Sequence, residues 1–127
     1  MTLHLLFSHQ LTPEQLADAQ LRLRVSDIRY LPPELQPLWS QVPPDLDSLD
    51  DYAQPLRQWL RDTASPGDFV LIQGDFGLTF LMVNFARSLN LTPIYATTRR
   101  ESREVKRENG KIEKTLVFGH VRFREYQ

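Results

Sequence analysis

Short apolar runs that end in polar residues recur along the chain and predict β-strands. Three of them are Leu3–Phe7, Phe69–Gln73 and Thr92–Thr97. Val25–Leu31 is a fourth plausible strand, because this run stops at two consecutive prolines. The pattern therefore predicts a sheet whose strands are separated by helical segments.

Apolar residues spaced three and four positions apart predict the helices. The first helix begins at Thr12, an expected cap that is followed by proline and, three residues later, by Gln15. We expect a short helix over residues 34–40 and a longer one over 46–64, which Pro55 kinks or divides. A last helix over 79–89 is apolar on nearly every side, so it is either deeply buried or part of a subunit contact.

The end of the chain follows a different pattern. Asn109-Gly110 is the strongest short signal for a β-hairpin, and it lies between two roughly alternating segments, 102–107 and 111–118. Residues 120–126 alternate between polar and apolar as well. We therefore predict one α/β domain over residues 1–127, with a mostly parallel sheet and a C-terminal antiparallel β-hairpin.

The composition excludes several classes of protein. A chain of 127 residues fits one domain, and 41% hydrophobic with 24% charged residues describes a globular chain. The absence of cysteine excludes disulfides and thiolate zinc sites. No apolar run reaches the roughly 18 residues of a membrane span, and the first residues lack the features of a signal peptide. We therefore expect a cytoplasmic protein without membrane contact.

The net charge of −1 conceals an asymmetry along the chain. Residues 99–127 carry nine Lys and Arg against five Asp and Glu, whereas the remainder carries six against eleven. A basic end is typical of contact with phosphates. A solvated hairpin of mixed charge is the alternative, because acids and bases are interleaved there. We expect no long nucleic acid as a partner, since the bases form no continuous patch.

Polar residues at the ends of three predicted strands indicate where a ligand binds. In an open α/β sheet, the ligand lies beyond the carboxyl ends of the strands. If the three strands are parallel neighbours, their polar ends share one rim. This rim comprises Ser8, His9, Gln73, Asp75, Thr98, Arg99 and Arg100. An anionic ligand is the first hypothesis, because arginine suits phosphate oxygens.

The turn after Phe69–Gln73 also has a structural interpretation. Gly74 and Gly77 allow positive φ or a close backbone approach, and Asp75 is placed to cap the next helix. The functional alternative is that exposed N–H groups at the helix start bind a phosphate or a base edge. The sequence leaves both alternatives open.

The histidines and the arginine pair carry similar alternatives. His9 is either a polar residue flanking a helix or a proton acceptor, and Arg99 and Arg100 are either solvated or bind phosphate. His4 is expected to be packed, and His120 has no obvious partner. No HxxxH or HxH spacing links the histidines, and GxxxxGK and GxGxxG are absent, so we expect no metal site and no cofactor.

Six segments of the chain, taken together and in order, carry a family resemblance. They are Leu6–Thr12, Tyr30–Leu35, Val70–Gly77, Met82–Phe85, Ile94–Arg100 and Phe118–Phe123. They resemble a small family of CRISPR-associated accessory proteins found with type III systems. The resemblance implies a minimal CARF-like, Rossmann-type domain that forms a homodimer around a cyclic oligoadenylate, and a ring nuclease activity that opens this messenger. It carries over no catalytic residue, so the site assignments depend on the strand ends.

The hypothesis that follows is a metal-independent cleavage of cyclic oligoadenylate, most plausibly cyclic tetra-adenylate. Arg100 stabilises the charge on phosphorus and His9 or Asp75 accepts the proton of the attacking 2′-hydroxyl. The residues expected to bind the ligand are Ser8, Gln73, Gly74, Phe76, Gly77, Thr97, Thr98 and Arg99. Two alternatives remain: a sensor or sponge that binds the messenger without cutting it, and a small regulatory domain whose apolar helix 79–89 binds a partner protein.

Overall fold

Five strands and four helices alternate along residues 1–127, all of which are described by a computed structural model. In chain order they are β1 (Thr2–Leu6), α1 (Pro13–Leu21), β2 (Asp27–Tyr30), α2 (Gln36–Ser40), α3 (Gln54–Thr63), β3 (Phe69–Ile72), α4 (Phe76–Ser88), β4 (Thr92–Lys106) and β5 (Ile112–Glu125).

The strands form one mixed sheet in the order β2-β1-β3-β4-β5. Strands β1 to β4 are parallel to their neighbours, and β5 pairs antiparallel with β4. The expectation of an α/β fold with a mostly parallel sheet and a C-terminal antiparallel pair is confirmed. Helices that connect parallel strands cover both faces of the sheet, which explains why β1 and β3 are almost entirely buried.

Two apolar clusters lie on the two faces of the sheet. Alternating residues of β3 divide between them: Val70 and Ile72 face α3 and α4, whereas Leu71 faces α1. Trp39 of α2 is 2% exposed and belongs to the larger cluster. The core therefore holds the strands β1 and β3 in place up to their carboxyl ends.

Local sequence signals fix two helix starts. Thr12 caps α1 with a complete capping box, in which its hydroxyl accepts from Gln15 N and its own N–H donates to Gln15 Oε1. The predicted helix over 46–64 was wrong in its first part, because α3 starts only at Gln54. Pro55 therefore neither kinks nor divides a helix; it lies in the first turn, where a missing N–H costs no hydrogen bond.

The two strands of the C-terminal hairpin, β4 and β5, are much longer than the other three strands of the sheet. Strands β4 and β5 pair from Ile94 with Glu125 out to Lys106 with Ile112. The turn at Asn109-Gly110 is confirmed: Gly110 has φ +81° and donates its N–H to Arg107 O. We call residues 99–119 the arm. Apart from Val117 and Gly119, which are half-buried, all of its residues are exposed.

Candidate functional site at the carboxyl edge

The carboxyl ends of β1 and β3 lie beside the middle of β4, because these strands are parallel neighbours. The prediction that the third strand ends at Thr97 was wrong, since β4 continues to Lys106. The condition for a shared rim is therefore met. Ser8 and His9 follow β1, Gln73 follows β3, and Thr97 continues β4. The residues of the rim therefore lie along one edge of the sheet, but they differ in the groups that they expose to a ligand.

A cavity of about 620 Å³ opens at the ends of β1 and β2. His9 stands at its wall with its ring edge-on to Phe7, at a centroid distance of 5.4 Å. The cavity is lined by Phe7, Ser8, His9, Gln10, Tyr30, Leu31, Pro32, Pro33, Gln36 and Ser40. None of these is a lysine, arginine, aspartate or glutamate, so the cavity offers hydroxyl, amide and aromatic groups but no fixed charge.

Gln73 connects three strands at the centre of the rim. Its backbone N–H donates to Leu6 O of β1, at 3.1 Å, and its carbonyl accepts from Trp39 Nε1, at 2.9 Å. Its side-chain Oε1 accepts the N–H of Ala96 on β4, at 2.7 Å. Only the side-chain NH₂ of Gln73 remains for a ligand, so its main task is structural.

The turn after Gln73 agrees in part with the structural interpretation. Gly74 is required because a Cβ there would lie 2.8 Å from the Trp39 indole, and not because of positive φ. Asp75 is the N-cap of α4, since its Oδ2 accepts from Leu78 N at 3.0 Å. α4 therefore begins at Phe76, three residues earlier than expected.

Gly77 and Phe76 have no such structural explanation. A Cβ on Gly77 would make only ordinary contacts of 3.5 Å, and its φ is not positive. As the first residues of α4, both have N–H groups without an acceptor inside the helix. Phe76 is 95% exposed at this position. An aromatic ring and two free N–H groups thus stand together at the start of a helix, where anions bind favourably.

The cations of the rim do not point the same way. Successive residues of a strand face opposite sides, so Arg99 and Arg100 lie on opposite faces of β4. Arg100 stacks over Phe118, with Cζ 5.2 Å from the ring centroid. Neither arginine lines the cavity at β1 and β2. Within a single copy of the chain, the two side chains therefore leave β4 on different faces of the sheet.

Thr97 and Thr98 also face opposite sides, and a register shift lies between them. The Thr97 hydroxyl donates to Arg122 O at 2.8 Å and accepts from Arg122 N at 3.2 Å, so it holds the irregular ladder together. Thr98 lines a second, smaller cavity of about 390 Å³ beside the start of α1, together with Phe118 and His120.

A buried pair missed by sequence reasoning borders this second cavity. His120, whose side chain is 5% exposed, places Nε2 2.7 Å from Asp18 Oδ2. The second oxygen of Asp18 lies 3.1 Å from Arg22 Nε. The expectation that His120 has no partner was wrong, and no local signal announces the pair, since 102 positions separate the residues. The buried Nδ1 of His120 has no hydrogen-bond partner.

Four aspartates near the edge were also missed. Asp45, Asp47, Asp50 and Asp51 are exposed in the segment before α3. Leu49 of this segment approaches α4, because its Cδ1 lies 3.5 Å from the position of a Cβ on Gly77. The body of the protein therefore presents carboxylates beside the start of α4, and an anionic ligand there requires compensating cations.

The opposite, amino edge of the sheet holds a buried histidine and a perturbed carboxyl group. His4 is fully buried, as expected for a packed residue, and its Nε2 lies 3.1 Å from Asp68 Oδ2. Burial alone would raise the pKa of Asp68. Hydrogen bonds from Ser65 N, Thr2 N and His4 nevertheless hold this pKa below its ordinary value. This pair is remote from the rim and supports the fold.

No group of three or more metal-ligating side chains is close enough to hold a metal ion. None of the helices combines the length and the apolar character that crossing a membrane requires.

Comparison with known proteins finds relatives without an assigned activity. The family model described as the uncharacterized protein MJ1673 family matches residues 1–124. The uncharacterized protein MJ1673 of Methanocaldococcus jannaschii is 52% identical over 122 residues, which cover 96% of this chain and 94% of that protein. No solved structure matches the chain.

Proposed function

The chain belongs to the uncharacterized MJ1673 family, and we propose that it is a ring nuclease of type III CRISPR systems. It binds a cyclic oligoadenylate, with cyclic tetra-adenylate as the first candidate, at the carboxyl edge of a Rossmann-type, CARF-like sheet. The observation that carries this proposal is the polar cavity at the ends of β1 and β2, which contains no lysine, arginine, aspartate or glutamate. The start of α4 follows β3 at the same edge of the sheet. The proposal includes a homodimer and a cytoplasmic location.

The cavity suits a nucleoside better than a phosphate. Its volume of about 620 Å³ lies within the range of small-molecule sites, roughly 300–1,000 Å³. Hydroxyl and amide groups of Ser8, Gln10 and Gln36 can pair with adenine edges or ribose. Tyr30, at the wall, and the exposed Phe76, at the start of α4, offer ring faces for base stacking.

The phosphates need other groups. The N–H groups of Phe76 and Gly77 at the start of α4 favour an anion. Arg99 and Arg100 supply positive charge at the root of the arm, although they face opposite sides. Because Arg100 is held over Phe118, its guanidinium is partly ordered before a ligand arrives.

Cleavage needs only groups of this chain. The 2′-oxygen of one ribose attacks the adjacent phosphorus, the bond from phosphorus to the 5′-oxygen breaks, and the products are a 2′,3′-cyclic phosphate and a 5′-hydroxyl. His9 accepts the proton of the 2′-hydroxyl, and the leaving 5′-oxygen takes a proton from solvent. His9 suits this role better than Asp75, because one Asp75 oxygen already accepts the N–H of Leu78. Arg100 stabilises the charge that develops on the phosphoryl oxygens.

The experiment is incubation of the purified protein with labelled cyclic tetra-adenylate in excess EDTA, followed by chromatography of the products. We expect linear fragments that end in 2′,3′-cyclic phosphate. Cleavage that stops in EDTA would refute the metal-independent step. An intact ring that co-elutes with the protein would replace the nuclease by a sensor or sponge. Failure to bind any ring size would refute the nucleotide site and leave a partner-binding regulatory domain.

A further inference from the structure

The arm exposes a line of large apolar side chains on one face. Ile112, Leu116 and Phe118 are 62%, 56% and 59% exposed. Because they are even-numbered residues of one strand, they face the same side. Their cross-strand partners on this face are Lys106, Ser102 and Arg100. The face therefore combines apolar side chains with cations.

A two-stranded ribbon is marginally stable in water unless one of its faces is covered. Beyond Thr98 and His120, no third strand pairs with the arm, and its side chains remain exposed. Adjacent exposed apolar residues of this kind mark an interaction surface. The arm therefore requires a partner to cover the Ile112, Leu116 and Phe118 face.

Charge indicates which partner fits. The arm carries seven Lys and Arg against four Glu, whereas the rest of the chain carries eight against twelve acids. The densest acids of the rest are Asp45, Asp47, Asp50 and Asp51, beside the start of α4. A basic arm and an acidic body within one chain are complementary between two copies.

The carboxyl edge also offers apolar surface to such an arm. Leu46, between two of the aspartates, is 45% exposed, and Phe76 is 95% exposed. Apolar side chains flanked by carboxylates match apolar side chains flanked by cations. The uncharged cavity of the same edge lacks the cations that a phosphate ligand needs, and the arm has them.

We propose that the arm of one copy docks on the carboxyl edge of a second copy, and that the exchange is reciprocal about a two-fold axis. The apolar face of the arm covers Leu46 and Phe76, and its cations oppose the aspartates of the body. Self-association by this surface is independent of any ligand. A second consequence rests on the proposed function: Arg100 of the arm neutralises phosphates bound at the edge of the partner copy.

Sedimentation of the full chain over a range of concentrations, without ligand, tests the surface. We expect the wild-type chain to dimerise and Leu116→Lys to dimerise about a hundredfold more weakly, because each dimer loses two buried leucines. Thr115→Lys is the matched control, since it adds the same charge on the opposite face. A monomeric wild-type chain, or a Leu116→Lys chain that dimerises like the control, overturns the proposal.

Zero-length cross-linking of lysines to carboxylates identifies the docking site without any variant. Isotope-labelled and unlabelled chains are mixed and allowed to exchange before cross-linking. We expect cross-links between Lys111 or Lys114 of one isotope and Asp45–Asp51 of the other. The exchange would be overturned if every cross-link joined two residues of the same isotope. If the chain is monomeric and its arm binds RNA, the partner of the arm is a nucleic acid and the proposal is overturned.

The two proposals fail separately. A dimer that assembles through the arm but binds no cyclic oligoadenylate of any ring size would refute the proposed function and keep the arm surface. A wild-type chain that is monomeric and still cleaves the ring would refute the arm exchange and keep the cleavage. A monomeric Leu116→Lys chain that cleaves at the wild-type rate would refute only the role of Arg100 in the partner copy.

Discussion

Replacement of Asp68 by asparagine removes a charged acceptor from the amino edge of the sheet. The carboxylate accepts three hydrogen bonds: from Thr2 N to Oδ1 at 3.1 Å, and from Ser65 N and His4 Nε2 to Oδ2 at 3.0 and 3.1 Å. In Asp68→Asn, Oδ1 can still accept from Thr2, but an NH₂ group replaces Oδ2. Two hydrogen bonds are lost, and a ring nitrogen of the fully buried His4 loses its acceptor.

The expected loss follows from these contacts. A hydrogen bond to a charged group contributes about 1.5–3 kcal/mol, and a buried donor left unpaired costs a similar amount. Two lost bonds therefore predict a decrease of at least about 3 kcal/mol in the free energy of unfolding. With an unfolding entropy of about 2.1 cal/mol/K per residue, this decrease lowers Tm by roughly 10 °C.

The effect depends on pH in a definite direction. The folded-state pKa of Asp68 lies below its unfolded value. Its contribution to stability is therefore complete above the unfolded pKa of about 3.9. It is lost as the pH falls through the folded pKa. The difference between wild type and Asp68→Asn should be constant near neutral pH and should shrink in acid.

Denaturant unfolding followed by circular dichroism, at neutral and acidic pH, measures both effects. Asp62→Asn is the matched control, because Asp62 accepts a single hydrogen bond from Gln58 on the exposed side of α3. The control should change stability by less than about 0.5 kcal/mol. The reasoning is refuted if Asp68→Asn loses no more than the control, or if its deficit is unchanged below the unfolded pKa.

The remaining predictions concern the carboxyl edge. Gly74→Ala should destabilise the fold by about 1–3 kcal/mol, because its Cβ would overlap the indole of α2; Gly77→Ala, in a helix and without close contacts, should be neutral or stabilising by up to about 1 kcal/mol in the same thermal melt. His9→Ala should reduce the rate of ring cleavage about 100-fold or more with little change in ring affinity, and equal loss of both would contradict a role in proton transfer. Arg100→Ala should reduce cleavage about 100-fold as well, whereas Arg103→Ala, further along the arm, should retain it; unchanged turnover in Arg100→Ala would eliminate the arginine from the mechanism.

Much of the local structure could be predicted because its causes lie within a few residues. The capping box of Thr12 and Gln15 and the turn at Asn109-Gly110 are both complete within four positions of the chain. The polar ends of β1 and β3 also followed from the pattern. The predicted end at Thr97 did not, because pairing with β5 extends β4 to Lys106. The start of α4 was placed too late, because Phe76 was not expected to be a helical residue at an exposed position.

The candidate site was only partly predictable, because its residues depend on neighbours that are distant in sequence. Gln73 was expected to bind the ligand, but its backbone oxygen accepts a hydrogen bond from Trp39 and its side-chain oxygen accepts one from Ala96. Arg99 and Arg100 looked like a pair, but strand geometry separates them to opposite faces. The cavity at the ends of β1 and β2 required the register of both strands.

Apolar spacing, caps and turns act over short distances, and the type and order of most elements therefore follow from the amino-acid sequence alone. The reason why Gly74 must be a glycine appears only in three dimensions, since the Trp39 indole that excludes a Cβ comes from α2. The pairing of His120 with Asp18 and the approach of the acidic segment to the start of α4 also depend on the folded structure. These contacts join residues that are distant in sequence. Local propensities do not encode them, because they form only when the order of the strands brings the two residues together.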